Sequence, residues 1–126
     1  MNIFIYIIIF LLQIGITLDE KCLFKSPILY VGHHLLDVFT FWGPLFLETK
    51  MEYQIHFLIL IGLLMHWFTN DYKCILTEWL NEDCGYPKNQ WFNSLANLLP
   101  LEKVFYYYHI VWILALLIYD IYKINN

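Results

Sequence analysis

Residues 27–70 constrain the fold more than any other part of the chain. They contain two apolar runs, 27–47 and 53–70, which are separated by the polar turn 48–52. Each run has about 20 residues, the length that a helix needs to cross a hydrocarbon core of about 30 Å. Because the turn is short, we expect the two helices to be antiparallel neighbours.

Ionisable side chains interrupt both apolar runs. Asp37 follows His33 by four residues and His34 by three, so the three side chains share one helix face. An isolated charge near the bilayer centre costs at least about 3 kcal/mol. We therefore expect Asp37 to be neutral or paired with a histidine. Folding the two helices about Lys50 places His34 opposite His66 at a similar depth.

Composition argues against an ordinary soluble domain and against a nucleic-acid-binding protein. The chain has 126 residues, which is room for one domain. It is 60% hydrophobic with a mean hydropathy of +0.56, whereas roughly 45–50% is usual for soluble domains. The net charge is -4 and arginine is absent. A basic nucleic-acid-binding surface is therefore not expected.

Two further apolar runs, 3–18 and 101–123, and the polar segment 71–100 complete the pattern. Asn89 is a candidate cap for an amphipathic helix that ends before Pro100. We predict an all-α fold: a transmembrane four-helix bundle with a short amphipathic helical cap on one side. The chain 1–126 is then a single integral membrane domain, multi-pass, with helices at about 3–18, 27–47, 53–70 and 101–123 and a polar or amphipathic segment at 71–100.

The first apolar run has two interpretations. Residues 3–18 have the length of a short membrane helix and also of the apolar core of a secretory signal. The run lacks a basic segment before it and a small-residue cleavage site after it. These two absences favour a retained helix over a cleaved signal.

The three cysteines bear on the membrane orientation. Cys22, Cys74 and Cys84 all lie on the side of the predicted bundle that carries most of the lysines. The positive-inside rule makes that side cytoplasmic, where thiols stay reduced. If it is lumenal instead, a disulfide such as Cys74–Cys84 is possible, with one thiol left over. Both orientations remain open.

A histidine and aspartate cluster is the first candidate site. Three predicted helices contribute to it at one depth, an arrangement that helix bundles use for buried sites. Neutral imidazole and carboxylate are common metal ligands, so the functional interpretation is a metal ion, a b-type haem or a proton relay. The alternative is hydrogen bonding between helices, with no cofactor. The candidate residues are His33, His34, Asp37, His66 and His109.

Two smaller sets of polar residues are also candidates. His56 and Asp120 lie near the opposite side, where they either form a charge-assisted hydrogen bond or each reach the interface separately. Cys74, Thr77 and Asn81 share a helix face. They form either a thiol site or a helix cap in which the Thr77 hydroxyl is the capping group.

A spaced motif resembles a known family of small bacterial multi-spanning membrane proteins, a domain of unknown function. The motif is a His, a Gly, a second His, a Cys-x-Leu-Thr element and an Asn, here His34, Gly43, His56, Cys74, Leu76, Thr77 and Asn81. In that family the element reads Cys-Pro-Leu-Thr and a Glu-Asn pair follows, whereas here Ile75 replaces the proline and Leu80 the glutamate. The resemblance covers residues 28–81 and implies a membrane helix bundle without a known activity.

No complete catalytic set is recognisable in the sequence. We therefore predict a small polytopic membrane protein of unknown activity, non-enzymatic, that is a structural or accessory component of a membrane assembly. Its expected partners are the lipid bilayer and other membrane subunits. The alternative is a metal- or haem-binding redox or proton-relay protein that uses the His/Asp cluster.

Overall fold

The computed structural model describes residues 1–90 and 108–126. The described residues form helices and no strand, which confirms the all-α prediction. Two predicted segments lie outside the described residues. They are the amphipathic helix after Asn89 and residues 101–107 of the last predicted helix. The helices are α1 (Ile3–Ile16), α2 (Glu20–Lys25), α3 (Pro27–Trp42), a 3₁₀ helix (Gly43–Leu45), α4 (Lys50–Thr69), α5 (Ile75–Cys84) and α6 (Tyr108–Asn125).

Two helix boundaries differ from the predicted ones for identifiable reasons. α3 ends at Trp42 rather than at residue 47, since Pro44 has no N–H to continue the hydrogen-bond ladder. α4 begins at Lys50, three residues early, within the predicted turn. There the Thr49 hydroxyl accepts from the Glu52 N–H and the Glu52 carboxylate accepts from the Thr49 N–H, a capping box.

The segment 19–26, which lies between two predicted helices, contains the short helix α2. The Asp19 carboxylate accepts a hydrogen bond from the Cys22 N–H at 3.1 Å, which starts the helix. A disulfide joins Cys22 to Cys84 at the end of α5, with a Cα–Cα distance of 5.2 Å. Cys74 is the free cysteine, so the pairing differs from the Cys74–Cys84 example considered above. We call α2 and α5 the disulfide cap.

Polar contacts also hold the disulfide cap together. The Tyr86 hydroxyl donates to the Asp19 carboxylate at 2.6 Å. This hydrogen bond raises the pKa of the Tyr86 hydroxyl above its ordinary value, because the carboxylate stabilises the protonated phenol. The Ser26 hydroxyl donates to Asp83 at 2.9 Å. The disulfide therefore joins the two helices of the cap, and the Ser26 hydrogen bond connects α5 to the start of α3.

α3 is the central helix of the four long ones. It packs against α1 on one side and against α4 and α6 on the other, and α4 and α6 pack closely on each other. The apolar core between α3, α4 and α6 consists of Phe41, Leu60, Leu64, Trp67, Ile113, Leu116 and Leu117.

Polar side chains are buried in this structure while many large apolar ones are exposed. Gln13, His56 and Asp120 are 0% exposed, whereas Leu58 is 69% and Ile118 is 70% exposed. Among the described residues, α4 is the one helix that is long and apolar enough to cross a membrane, and 22% of the residues in that stretch are buried. α1 is apolar but shorter.

Candidate functional site

A cavity of about 390 Å³ lies between α3, α4 and α6 on the side of the disulfide cap. Its mouth carries exposed charged groups, Asp71, Lys73 and Lys88 among them. Its described wall combines apolar side chains with a few polar ones. The apolar group includes Leu36, Phe41, Leu63, Trp67 and Ile110, and the polar group includes His33, Asp37, Cys74, Thr77 and His109.

Asp37 reaches this cavity from the middle of α3 and is 8% exposed. The Gln13 side-chain amide of α1 donates to its Oδ2 at 3.0 Å and contacts the Nδ1 atom of His34 at 2.9 Å. The amide nitrogen is a donor, so Nδ1 of His34 is the acceptor and that ring holds its proton on Nε2. Asp37 is thus linked to a histidine through Gln13 and not by a direct bond.

His33 and Cys74 form the second contact at the cavity. The Cys74 Sγ atom lies 3.9 Å from the Nε2 atom of His33, within the range of a hydrogen bond to sulfur. Cys74 is also the N-cap residue of α5, where the predicted capping group was Thr77. Thr77 lies in the first turn of α5 and lines the cavity instead.

His66 has a structural contact that the sequence pattern did not reveal. Its Nε2 atom accepts a hydrogen bond from the Ile75 N–H at 3.0 Å and so satisfies one of the free amides at the start of α5. His34 contacts Gln13 and not this helix start. His34 and His66, which were expected to lie opposite each other, therefore have separate partners.

The five predicted metal ligands therefore separate into three places. His33, Asp37 and His109 line the cavity, His34 faces α1, and His66 lies at the start of α5. Within residues 1–90 and 108–126, no group of three or more His, Cys, Asp or Glu side chains is arranged to hold a metal ion.

His56 and Asp120 form a fully buried pair between α4 and α6. The Nδ1 atom of His56 lies 2.7 Å from Oδ2 of Asp120, and both side chains are 0% exposed. Nε2 of His56 lies 3.1 Å from the Thr40 carbonyl oxygen, which only accepts, so Nε2 carries a proton. Both ring nitrogens of His56 are therefore hydrogen-bonded, Nδ1 to the carboxylate and Nε2 to the carbonyl.

The bond to Thr40 follows from the way α3 ends. In a continuing helix the Thr40 carbonyl would accept from residue 44, but Pro44 has no N–H. The His56 imidazole supplies the missing donor. The Trp112 indole does the same for the next carbonyl, Phe41, at 3.0 Å. Side chains of α4 and α6 thus complete the C-terminus of α3.

Gly43 allows the His56 ring to lie directly against the backbone. A Cβ atom at Gly43 would lie 2.6 Å from Nε2 of His56, closer than real atoms approach. The ring is held at both nitrogens and is fully buried, so it has no free direction in which to move. A side chain at position 43 is therefore incompatible with this arrangement.

We expect Gly43→Ala to lower the free energy of unfolding by about 2 kcal/mol, the middle of the range for inserting a methyl group into a packed core. The matched control is Gly32→Ala within α3, where an added Cβ meets nothing within 4 Å. Alanine there improves helix propensity by up to about 1 kcal/mol. Thermal unfolding in detergent micelles measures both variants. Equal stabilities of the two would contradict the close approach of Gly43 to His56.

Asn81, the last residue of the third candidate set, stabilises the loop after α5. Its side-chain amide donates to the Gln90 carbonyl at 2.8 Å and to the Lys88 carbonyl at 3.4 Å. It therefore lies at the loop that borders the cavity, while Cys74 and Thr77 lie on the cavity wall.

Two residues of these polar contacts were missed by the sequence interpretation. The two residues are Gln13 and Thr40, neither of which is among the candidate residues that the sequence pattern indicates. A glutamine inside an otherwise apolar helix is itself a signal, because an amide in such a setting needs hydrogen-bond partners. The Thr40 carbonyl had its signal in Pro44, four residues later.

The residues that carry the resemblance to the family of unknown function lie in three places. Gly43 and His56 are in contact, and His34 bonds to Gln13. Cys74 and Thr77 line the cavity, and Asn81 bonds to the loop that borders it. No family model matches the chain, and comparisons with curated proteins and with solved structures found no significant match.

Proposed function

We propose that the chain is a multi-pass integral membrane protein and a structural or accessory subunit of a membrane assembly. Its spans are α1, α3, α4 and α6, and the disulfide cap lies at one membrane surface. The observation that supports this proposal is the inverted burial: ionisable and amide side chains are inside while large apolar side chains face outward. Such inversion is favourable where the surrounding medium is hydrocarbon.

Outward apolar residues occur on all four proposed spans, and in α3 the most exposed is Ile28 at 89%. α1 exposes residues such as Phe4 and Leu11, α4 exposes Leu58 and Met65, and α6 exposes Ile118. Contiguous apolar surface of this extent is rare on soluble monomers and marks contact with a membrane or another protein. We assign this apolar surface to contact with lipid around most of the bundle and with a neighbouring subunit over part of it.

Two of the proposed spans, α1 and α3, are short compared with the hydrocarbon core of a bilayer. At 1.5 Å per residue, the 14 residues of α1 extend about 21 Å and the 16 of α3 about 24 Å. Both are shorter than a hydrocarbon core of about 30 Å. The 3₁₀ helix Gly43–Leu45 lengthens α3, and local thinning of the bilayer accommodates the remaining mismatch at a modest cost.

The disulfide bears on the orientation that the sequence left open. Disulfides persist in oxidising compartments and are reduced in the cytosol. The Cys22–Cys84 bond therefore favours the cap on the non-cytosolic side, although Lys21 and Lys25 lie there. We give the disulfide more weight, because it is a specific covalent state and the lysine bias is a statistical tendency.

We expect the protein to stay in the membrane pellet after alkaline carbonate extraction, because four apolar helices hold it in lipid. Topology is measured in a Cys74→Ser background with Lys88→Cys or Lys50→Cys, which lie at opposite ends of the bundle. An impermeant maleimide is expected to label Lys88→Cys in intact cells and Lys50→Cys only after permeabilisation. Release by carbonate contradicts the membrane proposal, and the reverse labelling contradicts the orientation alone.

The role as a subunit is tested by the native mass of the gently solubilised protein. We expect a particle larger than one chain in its micelle.

The alternative of a metal-binding, haem-binding or proton-relay protein draws on His33, Asp37 and His109 at the cavity. We rank it second, because the five predicted ligands separate into three places.

A further inference from the structure

Asp37 is the one buried acidic side chain among the described residues that line the cavity, and the buried basic side chain beside it is the histidine His33. The other acids and the lysines of the lining are wholly or partly exposed near the mouth. Water screens exposed charges, so they contribute little to binding. Only one oxygen of Asp37 has a hydrogen bond, the one from Gln13; none reaches the other oxygen from the part of the chain that the structure describes. A buried carboxylate in this state lacks a cationic partner.

An aromatic wall lies next to this carboxylate. The rings of Phe41 and Trp67 meet the His109 ring edge to face, with centroid distances of 5.8 and 6.2 Å. Phe41, Trp67 and His109 all line the cavity, and Leu63 and Ile110 extend the apolar surface. Faces of aromatic rings attract cations, and the apolar side chains suit a hydrocarbon body.

The dimensions of the cavity fit a small molecule. Its volume of about 390 Å³ lies near the lower end of the range for ligand sites, about 300–1,000 Å³. The mouth carries Asp71 and Glu78 as well as Lys73 and Lys88, so the acidic and basic groups balance there. Entry of a singly charged cation is therefore not opposed by the charge at the mouth.

We propose that this cavity binds a small protonated organic amine, with its ammonium group against Asp37 and its apolar body against Phe41 and Trp67. An ammonium group donates to the free oxygen of Asp37 and compensates its charge. An anion would face that oxygen without a donor, and a neutral ligand would leave the charge uncompensated. This inference goes beyond the proposed structural role and needs the folded bundle but not its orientation.

The test compares 2-phenylethylamine with 2-phenylethanol, which has nearly the same shape and no charge. Isothermal titration calorimetry is performed on the full chain purified in detergent. We expect saturable binding of one amine per chain and at least tenfold weaker binding of the alcohol. Equal affinity for the two compounds, or the absence of saturable amine binding, overturns the proposal.

Variants assign the binding to Asp37. Asp37→Asn keeps the shape of the side chain and is expected to weaken amine binding at least tenfold. Glu82→Gln is the matched control, since it also removes one negative charge but lies exposed on α5 away from the cavity. Unchanged binding in folded Asp37→Asn, or an equal loss in Glu82→Gln, overturns the proposal.

A second variant serves if Asp37→Asn does not fold. Ile110→Trp fills part of the cavity and leaves the Asp37 residue itself unchanged, and we expect it to abolish amine binding. Retained binding in this variant overturns the proposal. Carbonate extraction of the same preparations separates the two hypotheses. A chain that stays in the membrane and binds no amine refutes the amine site alone, and a chain that is extracted yet binds the amine refutes the membrane role alone.

Discussion

Replacing His56 by leucine is expected to lower the free energy of unfolding by roughly 3–5 kcal/mol, the range for removing one partner of a buried ion pair. Among the described residues, the variant leaves the fully buried Asp120 with no hydrogen-bond partner for Oδ2, and Oδ1 already has none there. It also removes the donor to the Thr40 carbonyl. Unfolding in detergent micelles, by heat or by added sodium dodecyl sulfate, measures the loss.

The reciprocal variant separates charge from packing. Asp120→Leu leaves a neutral imidazole that still donates from Nε2 to Thr40, so we expect a smaller loss than in His56→Leu. The double variant His56→Leu, Asp120→Leu removes both polar groups and is expected to be more stable than His56→Leu alone. An ordinary hydrogen bond between membrane helices contributes only about 0.6 kcal/mol. A loss of that size in His56→Leu, without recovery in the double variant, contradicts a buried charge pair.

Loss of the Cys22–Cys84 disulfide is expected to destabilise the chain by about 4 kcal/mol, from the entropy of a closed loop with a sequence separation of 62 residues. Cys22→Ser, Cys84→Ser and the double variant should lose the same amount, because each removes the same bond. Cys74→Ser is the matched control and should change stability little. Unfolding in detergent without reductant measures all four.

Counting thiols gives an independent check of this disulfide. Alkylation of the denatured, unreduced protein should modify one cysteine, Cys74, and alkylation after reduction should modify all three. Three reactive thiols before reduction, in protein isolated without reductant, would contradict the bond. That result would also remove the argument that the cap lies on the non-cytosolic side.

The helical class and the approximate positions of the long helices were predictable, because they follow from the length and spacing of apolar residues. The inaccurate boundaries lie where single side chains decide. Pro44 stops α3 early, and the capping box of Thr49 and Glu52 starts α4 early. The short helix α2 was missed because its start depends on one carboxylate, Asp19, which caps it.

The candidate site was predictable as a set of residues but not as a set of contacts. The sequence placed His33 and Asp37 on one face of a helix, and both line the cavity. It did not reveal that Gln13 of α1 would link Asp37 to His34, because sequence spacing contains no information about which helices become neighbours. For the same reason it left the pairing of three cysteines open.

The sequence by itself determined the apolar helical character of this protein and which costly polar groups it must accommodate, because both are properties of residues along one helix. Only the tertiary structure decided which partner each polar group has. His56 bonds to Asp120 and Thr40, His66 bonds to the start of α5, and Cys22 bonds to Cys84. Asp120 lies 64 residues from His56 and Cys84 lies 62 residues from Cys22, and the packing of the helices brings these distant residues within bonding distance.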